Sequence, residues 1–132
     1  MTTNEEVLRR LHDAFARGEI EEAHATLHPE VEIQDHDIPD AAGGYRGHEG
    51  FDRWVEQNAE GYGDFAVEVE DVIDAGHDRL VALVKLRARG RASGIELERL
   101  DGVVYEFSGG LICRIDYYND RAEALRAAGV EL

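Results

Sequence analysis

The 132-residue chain carries 29 acidic against 14 basic side chains, a formal charge of -15. Nucleic acid and anionic membranes are therefore not expected as partners, since phosphate binding requires a basic stripe. Hydrophobic content of 43% with two prolines suits one ordered domain, and the length is too short for two cores.

Thr3-x-x-Glu6 has the spacing of a capping box and opens a predicted helix that runs to about residue 17. Val7, Leu8, Leu11 and Phe15 share one face, and Gly18 stops it. A short helix over 19–27 presents Ile20, Ala23 and Leu27, and His28-Pro29 ends it. Residues 30–36 alternate strictly: Val31, Ile33 and Asp35 point one way, Glu32, Gln34 and His36 the other. Asp35 is thus an acid on the apolar side of a strand. Residues 38–46, with Pro39, Gly43 and Gly44, read as a loop long enough to rim a cavity. A helix over 47–60 follows, with Phe51, Trp54, Val55 and Asn58 on one face.

A strand over 64–75 then turns at Gly76-His77-Asp78 into three more, over 79–91, 95–107 and 111–119. Ser93-Gly94 is expected to make a two-residue hairpin, and Ser108-Gly109-Gly110 the next turn. Pairing Ala92 with Ile95 sets Arg91 against Glu96 and Arg89 against Glu98. Lys85 and Arg87 join that charged face, which is expected to point outward and support a homodimer. The other face carries Ala82, Val84, Leu86 and Ala88 opposite Tyr105, Val103, Asp101 and Arg99, then Cys113, Ile115 and Tyr117. Asp116 falls on the charged side, within reach of Arg114 or Arg87. A helix over 120–128 closes the chain. The expected architecture is α+β: one domain over 1–132, with a curved antiparallel sheet whose apolar face is covered by the first half of the chain.

Local sequence adds a resemblance. Gly18-Glu-Ile-Glu-Glu-Ala, His28-Pro-Glu-Val-Glu, Tyr45-Arg-Gly-His-Glu-Gly, Asp74-Ala-Gly-His-Asp and Tyr117-Tyr-Asn-Asp-Arg-Ala-Glu-Ala-Leu resemble the SnoaL-like polyketide cyclase branch of the nuclear-transport-factor-2-like superfamily. The likeness spans essentially the whole chain. It implies a helix-covered cone with a pocket at its wide end, often in a dimer. Ketosteroid isomerase is a member of this superfamily, and Asp35 matches the position of its general base. Trp54 matches an aromatic pocket position. The isomerase's two oxyanion donors fall here at Leu11 and Val103, which cannot donate. The Arg and two Asp of the related limonene epoxide hydrolase fall at Val84, Leu86 and Tyr117.

An ionised Asp35 on an apolar face is desolvated unless paired, and a carboxylate so placed can remove a proton alpha to a carbonyl. The competing reading puts Asp35 at the strand end, in water, capping the next loop. Tyr45, Trp54, Tyr62, Tyr105 and Tyr117 are expected to wall a pocket, with Arg99, Asp101 and Asn119 as polar groups. Arg99 and Asp101 form either an oriented acid or a plain salt bridge at a frayed sheet edge. His24 and His28 stand i, i+4 without a third ligand, so no metal is expected, and no cofactor motif occurs. Cys113 is expected in the core as packing, and a lone cysteine suits a reducing cytosol. No apolar run spans a membrane and no export leader is visible, so the expected location is cytoplasmic. Two functions follow: a cofactor-free isomerase or cyclase acting through Asp35 on a small apolar or aromatic, carbonyl-bearing molecule, or a non-catalytic ligand-binding or dimerising module.

Overall fold

A computed structural model describes residues 2–36, 44–59 and 62–130. Helix α1 (Asn4–Arg17) begins where the Thr3 hydroxyl accepts from the Glu6 backbone N–H at 3.1 Å, and ends at Gly18 in the left-handed conformation. Helix α2 (Ile20–His24) is shorter than its sequence pattern suggests, and Ile20 is 60% exposed rather than packed. Leu27 instead opens strand β1 (Leu27–Asp35). The hydrophobic run there belongs to a buried strand, and periodicity alone does not separate that from a helix end.

Part of the expected loop is a strand, β2 (Gly44–Arg46), paired antiparallel with β1; residues 37–43 lie outside the described residues. Helix α3 (Gly47–Ala59) leads to β3 (Tyr62–Gly76), β4 (Arg79–Gly90), β5 (Glu96–Ser108), β6 (Leu111–Tyr118) and α4 (Arg121–Ala127). The six strands form one sheet in the order β2-β1-β6-β5-β4-β3. All neighbours are antiparallel except β1 and β6, which are parallel, so the sheet is mixed rather than wholly antiparallel. Their ladder breaks between Leu27 and Glu32, around Pro29, which has no N–H to give.

Two registers differ from expectation. The β4–β5 connection spans four residues, because Gly90 N–H bonds Ile95 O at 2.9 Å and Gly94 N–H bonds Gly90 O at 2.8 Å. Arg89 therefore faces Glu96, and Arg87 faces Glu98. The slip is two residues, so every side chain keeps its face. Arg91 leaves the ladder and donates to Ala59 O at 3.2 Å, at the end of α3. In the β5–β6 pair, Glu106 faces Arg114 and Phe107 faces Ile112, which leaves Cys113 as the extra residue of a bulge. Cys113 is consequently only partly buried and not a core residue. Burial, with Glu106 adding to it, raises its pKa and keeps the thiol protonated.

The concave face carries the main core. Leu8 and Leu11 of α1 and Phe51 of α3 pack there on Val31, Ile33, Ala82, Val84, Val103, Ile112 and Ile115. Burying each Leu or Ile stabilises the fold by about 1.5–3 kcal/mol. Helix α4 does not join the others on the concave side. Ala124 and Ala128 pack with Val81 and Val104 in a second cluster on the opposite face. There Arg121 Nη2 donates to Val84 O at 2.9 Å and pairs with Glu70 at 2.5 Å. The rest of that face carries the charged rows, with Lys85 3.4 Å from Glu70 and Arg89 2.9 Å from Glu96.

Candidate functional site

A cavity lies between α1, α3 and the concave side of β3, β5 and β6. Helix α1 contributes Leu11, His12 and Phe15, which recur at helical spacing, and α3 contributes Phe51, Trp54, Val55 and Asn58. The sheet supplies Phe65, Val67, Ile115 and the three polar side chains Arg99, Tyr105 and Tyr117. Aromatic rings meet edge to face around it: Phe15 with Phe65 at 6.0 Å, Phe51 with Trp54 at 6.0 Å, and Trp54 with Tyr117 at 5.8 Å. Such contacts hold flat walls in place. The cavity volume is about 70 Å³. Sites for drug-sized ligands span roughly 300–1,000 Å³, so this cavity is small beside them.

Asp35 is 3% exposed, on the apolar side of β1 beside Ile33. Its Oδ2 accepts from the Trp54 indole N–H at 2.8 Å. It is not at a wet strand end, as one reading of the sequence had it. It stands behind Trp54, which lines the cavity while Asp35 does not. Tyr45 also sits outside the cavity lining, buried, with its hydroxyl donating to Gln57 Oε1. Burial raises the Tyr45 pKa, and the Asp35 charge adds to it.

Arg99, Asp101 and Tyr117 form a connected group. Arg99 Nε and Nη2 donate to the two Asp101 oxygens at 2.6 and 3.0 Å, and the Tyr117 hydroxyl donates to Oδ2. Asp101 is fully buried, so this salt bridge lies inside the sheet rather than at a frayed edge. Desolvation, then the Asp101 charge, pushes the Tyr117 pKa up, and the phenol stays protonated. Asn119 lies beyond the end of β6 and is exposed. The Tyr62 side chain is outside the described residues. Of the residues singled out from sequence, Trp54, Arg99, Tyr105 and Tyr117 thus meet at the cavity, with Asp35 and Asp101 one side chain behind.

Among the cavity residues that the sequence did not mark as a site is His12. Leu8, Leu11, His12 and Phe15 fall at i, i+3, i+4 and i+7, so a polar residue on an apolar stripe was the available signal. Its Nε2 lies 2.8 Å from the Tyr105 hydroxyl. Desolvation lowers its pKa to about 4, with Asp13 opposing and Arg9 assisting more weakly. In the unfolded chain a histidine takes its proton near 6.5. Between those values the unfolded state binds more protons, so stability falls as pH drops. The protein is expected to be about 2 kcal/mol less stable at pH 5 than at pH 7 from this group alone. Urea melts of wild type and His12→Gln at the two pH values check this: the variant should lose that part of the difference, and equal differences in both proteins would refute it.

His24, His36 and His48 have partners outside the cavity. His24 Nε2 lies 2.7 Å from Asp52 Oδ1, and its ring stacks on His48 at 4.6 Å. His36 bonds Asp116 at 2.9 Å and stacks on Tyr118, while Asp116 pairs with Arg114 at 2.8 Å on the charged face. Among the described residues, no three His, Cys, Asp or Glu side chains converge as a metal site. No helix among them is long and apolar enough to cross a membrane.

The fold matches solved structures along nearly its whole length. A protein of the nuclear-transport-factor-2-like fold from Burkholderia thailandensis is 21% identical, with a TM-score of 0.79 over 95% of this chain and 98% of that one. TerC, co-crystallised with polyporic acid, is 17% identical, with a TM-score of 0.77 over 96% and 98%. A protein from Jannaschia sp. CCS1 described as SnoaL-like polyketide cyclase is 19% identical, with a TM-score of 0.76 over 98% and 93%. At these identities the likeness shows the fold alone. No curated protein sequence matches. The SnoaL-like domain profile matches residues 8–115, which is most of the chain, and the protein therefore belongs to the SnoaL-like domain family.

Proposed function

We propose that this protein binds a small, flat, largely apolar molecule bearing one carbonyl oxygen, and that Asp35 acts on it as general base in a cofactor-free isomerisation or ring closure. The observation that carries the binding part is the aromatic-walled cavity between α1, α3 and the sheet, with a few polar groups converging on it. TerC's complex with polyporic acid supports it by analogy of fold. The catalytic part rests on Asp35, a carboxylate removed from water and one indole away from the cavity. To reach a substrate, Asp35 must exchange its bond from the Trp54 N–H for one to the ligand, with the indole moving aside. The same shielding favours a second reading, a binding module without chemistry.

Asp35→Asn separates the two. The amide oxygen can still accept from the Trp54 indole, so the fold should stay within about 1 kcal/mol of wild type. Binding of an aryl ketone, followed by calorimetry, should persist. Exchange of the ketone's alpha hydrogens for deuterium, followed by NMR, should be catalysed by wild type and absent in the variant. Exchange that continues unchanged in Asp35→Asn removes the general-base assignment. Wild type that binds the ketone but does not exchange it leaves the binding module.

A further inference from the structure

The cavity wall carries one polar pair with more hydrogens than its internal bond uses. His12 and Tyr105 meet through Nε2 and the hydroxyl at 2.8 Å, and both line the cavity. Burial keeps the imidazole neutral down to about pH 4 and raises the Tyr105 pKa, so the phenol keeps its proton. A neutral imidazole and a phenol together own two polar hydrogens, and their contact uses one. The phenol is the stronger acid and the imidazole nitrogen the better acceptor. The hydroxyl therefore donates to Nε2, and the ring's own hydrogen sits on Nδ1.

Among the described residues, nothing accepts a hydrogen bond from Nδ1. No fully buried side-chain polar atom among them lacks a partner either, so Nδ1 is not sealed off, and the residue that carries it lines the cavity. Of the other polar groups of the wall, Asn58 on the α3 side gives one of its two amide hydrogens to Trp54 O at 2.8 Å, and those of the sheet are engaged with one another. Arg99 gives two donors to Asp101, and the Tyr117 hydroxyl gives its hydrogen to the same carboxylate. Those charges cancel, and His12 adds none above pH 4. A carboxylate ligand would give up its hydration here for a cation that is already paired. A neutral carbonyl needs one donor and no counter-charge.

We infer that the His12 Nδ1–H is the donor that meets the carbonyl oxygen of a neutral ligand, and that Tyr105 is a positioning residue that fixes the imidazole in that tautomer. The inference rests on the cavity being a ligand site, and it supplies a donor where Leu11 and Val103 have none. No covalent step is involved. Each proton stays on its atom while the ligand's oxygen is polarised.

The test uses acetophenone and ethylbenzene, which share a shape and differ in the oxygen, with protein labelled with nitrogen-15 at histidine. In wild type the His12 ring nitrogens should show the Nδ1-protonated pattern and remain neutral through pH 5. Acetophenone should move the Nδ1–H resonance and bind about tenfold more tightly than ethylbenzene, the worth of one good hydrogen bond. Tyr105→Phe should return His12 to the Nε2-protonated form and cut that preference severalfold, the readout being the ratio of the two affinities within one protein. His12→Phe, which keeps an aromatic ring and removes both nitrogens, should abolish the preference as well. The assignment is overturned if wild-type His12 carries its proton on Nε2, if it titrates near 6.5, or if the preference survives in both variants. Ethylbenzene binding without any ketone preference defeats the His12 assignment alone. Failure of wild type to bind either probe defeats the cavity reading and the assignment with it.

Discussion

Gly102→Ala is expected to lower stability by about 2 kcal/mol, an overpacking loss for a single added methyl group. Gly102 lies in β5 between Leu83 and Tyr118, on the face that α4 covers. A Cβ built there would stand 2.6 Å from the Ala124 Cβ and 3.3 Å from the Arg121 Cα. Neither can yield without moving the helix. Seven residues are too few for α4 to hold itself together in water, so it depends on this seat. Arg121 raises the stakes, because its bonds to Val84 O and Glu70 pin the same turn. The melting temperature should fall by roughly 6–10 °C for a chain of this size. Ala124→Gly alone should also destabilise, by about 1 kcal/mol, through helix propensity. Combined, the two should lose less than their sum, because the second substitution opens the space that the first one needs. Strict additivity in that cycle would mean that the close approach does not govern the site.

How far the sequence reached depends on what sets each feature. Alternation placed Val31, Ile33 and Asp35 on the buried side of β1, and they are 0%, 2% and 3% exposed. The helical stripe of Phe51, Trp54, Val55 and Asn58 was legible for the same reason, and all four line the cavity. Face survives small errors of register, so Asp101, Val103 and Tyr105 kept their side although β4 and β5 pair two residues away from the expected match. Features that depend on contacts distant in sequence were not legible. Cys113 left the core because a bulge forms against Phe107, and α4 crossed to the other face because Gly102 offers it a flat seat. Asp35 was found, but its partner was not: nothing local says that the Trp54 indole, 19 residues on, would stand between it and the cavity. His12 was visible as a break in an apolar stripe, yet only its contact with Tyr105, 93 residues away, gives the break a meaning.

The larger loss is expected at Asp101. Its carboxylate is fully buried and holds three donors: Arg99 Nε at 2.6 Å, Arg99 Nη2 at 3.0 Å and the Tyr117 hydroxyl. Asp101→Ala removes the acceptor and leaves a half-buried guanidinium and a mostly buried phenol facing a cavity of carbon. Breaking a buried ion pair from one side destabilises by roughly 3–5 kcal/mol. The Arg99 side chain keeps 34% of its exposure and can turn toward water, which places the expected loss near the lower end of that range. Tyr117→Phe, which removes one of the three donors and keeps the ring against Trp54, should lose only about 1 kcal/mol. The triple variant Arg99→Met, Asp101→Leu, Tyr117→Phe replaces the whole polar group by apolar atoms of similar size. It should recover most of what Asp101→Ala loses, because no charge is then left without a partner. Chemical denaturation of the three proteins checks the order: Asp101→Ala least stable, the triple variant well above it, Tyr117→Phe close to wild type. An Asp101→Ala protein within 1 kcal/mol of wild type would mean that Arg99 and Tyr117 find water as easily as they find the carboxylate. The cavity wall they form would then be a wet edge rather than the rigid, charge-balanced surface on which selection for a neutral ligand depends.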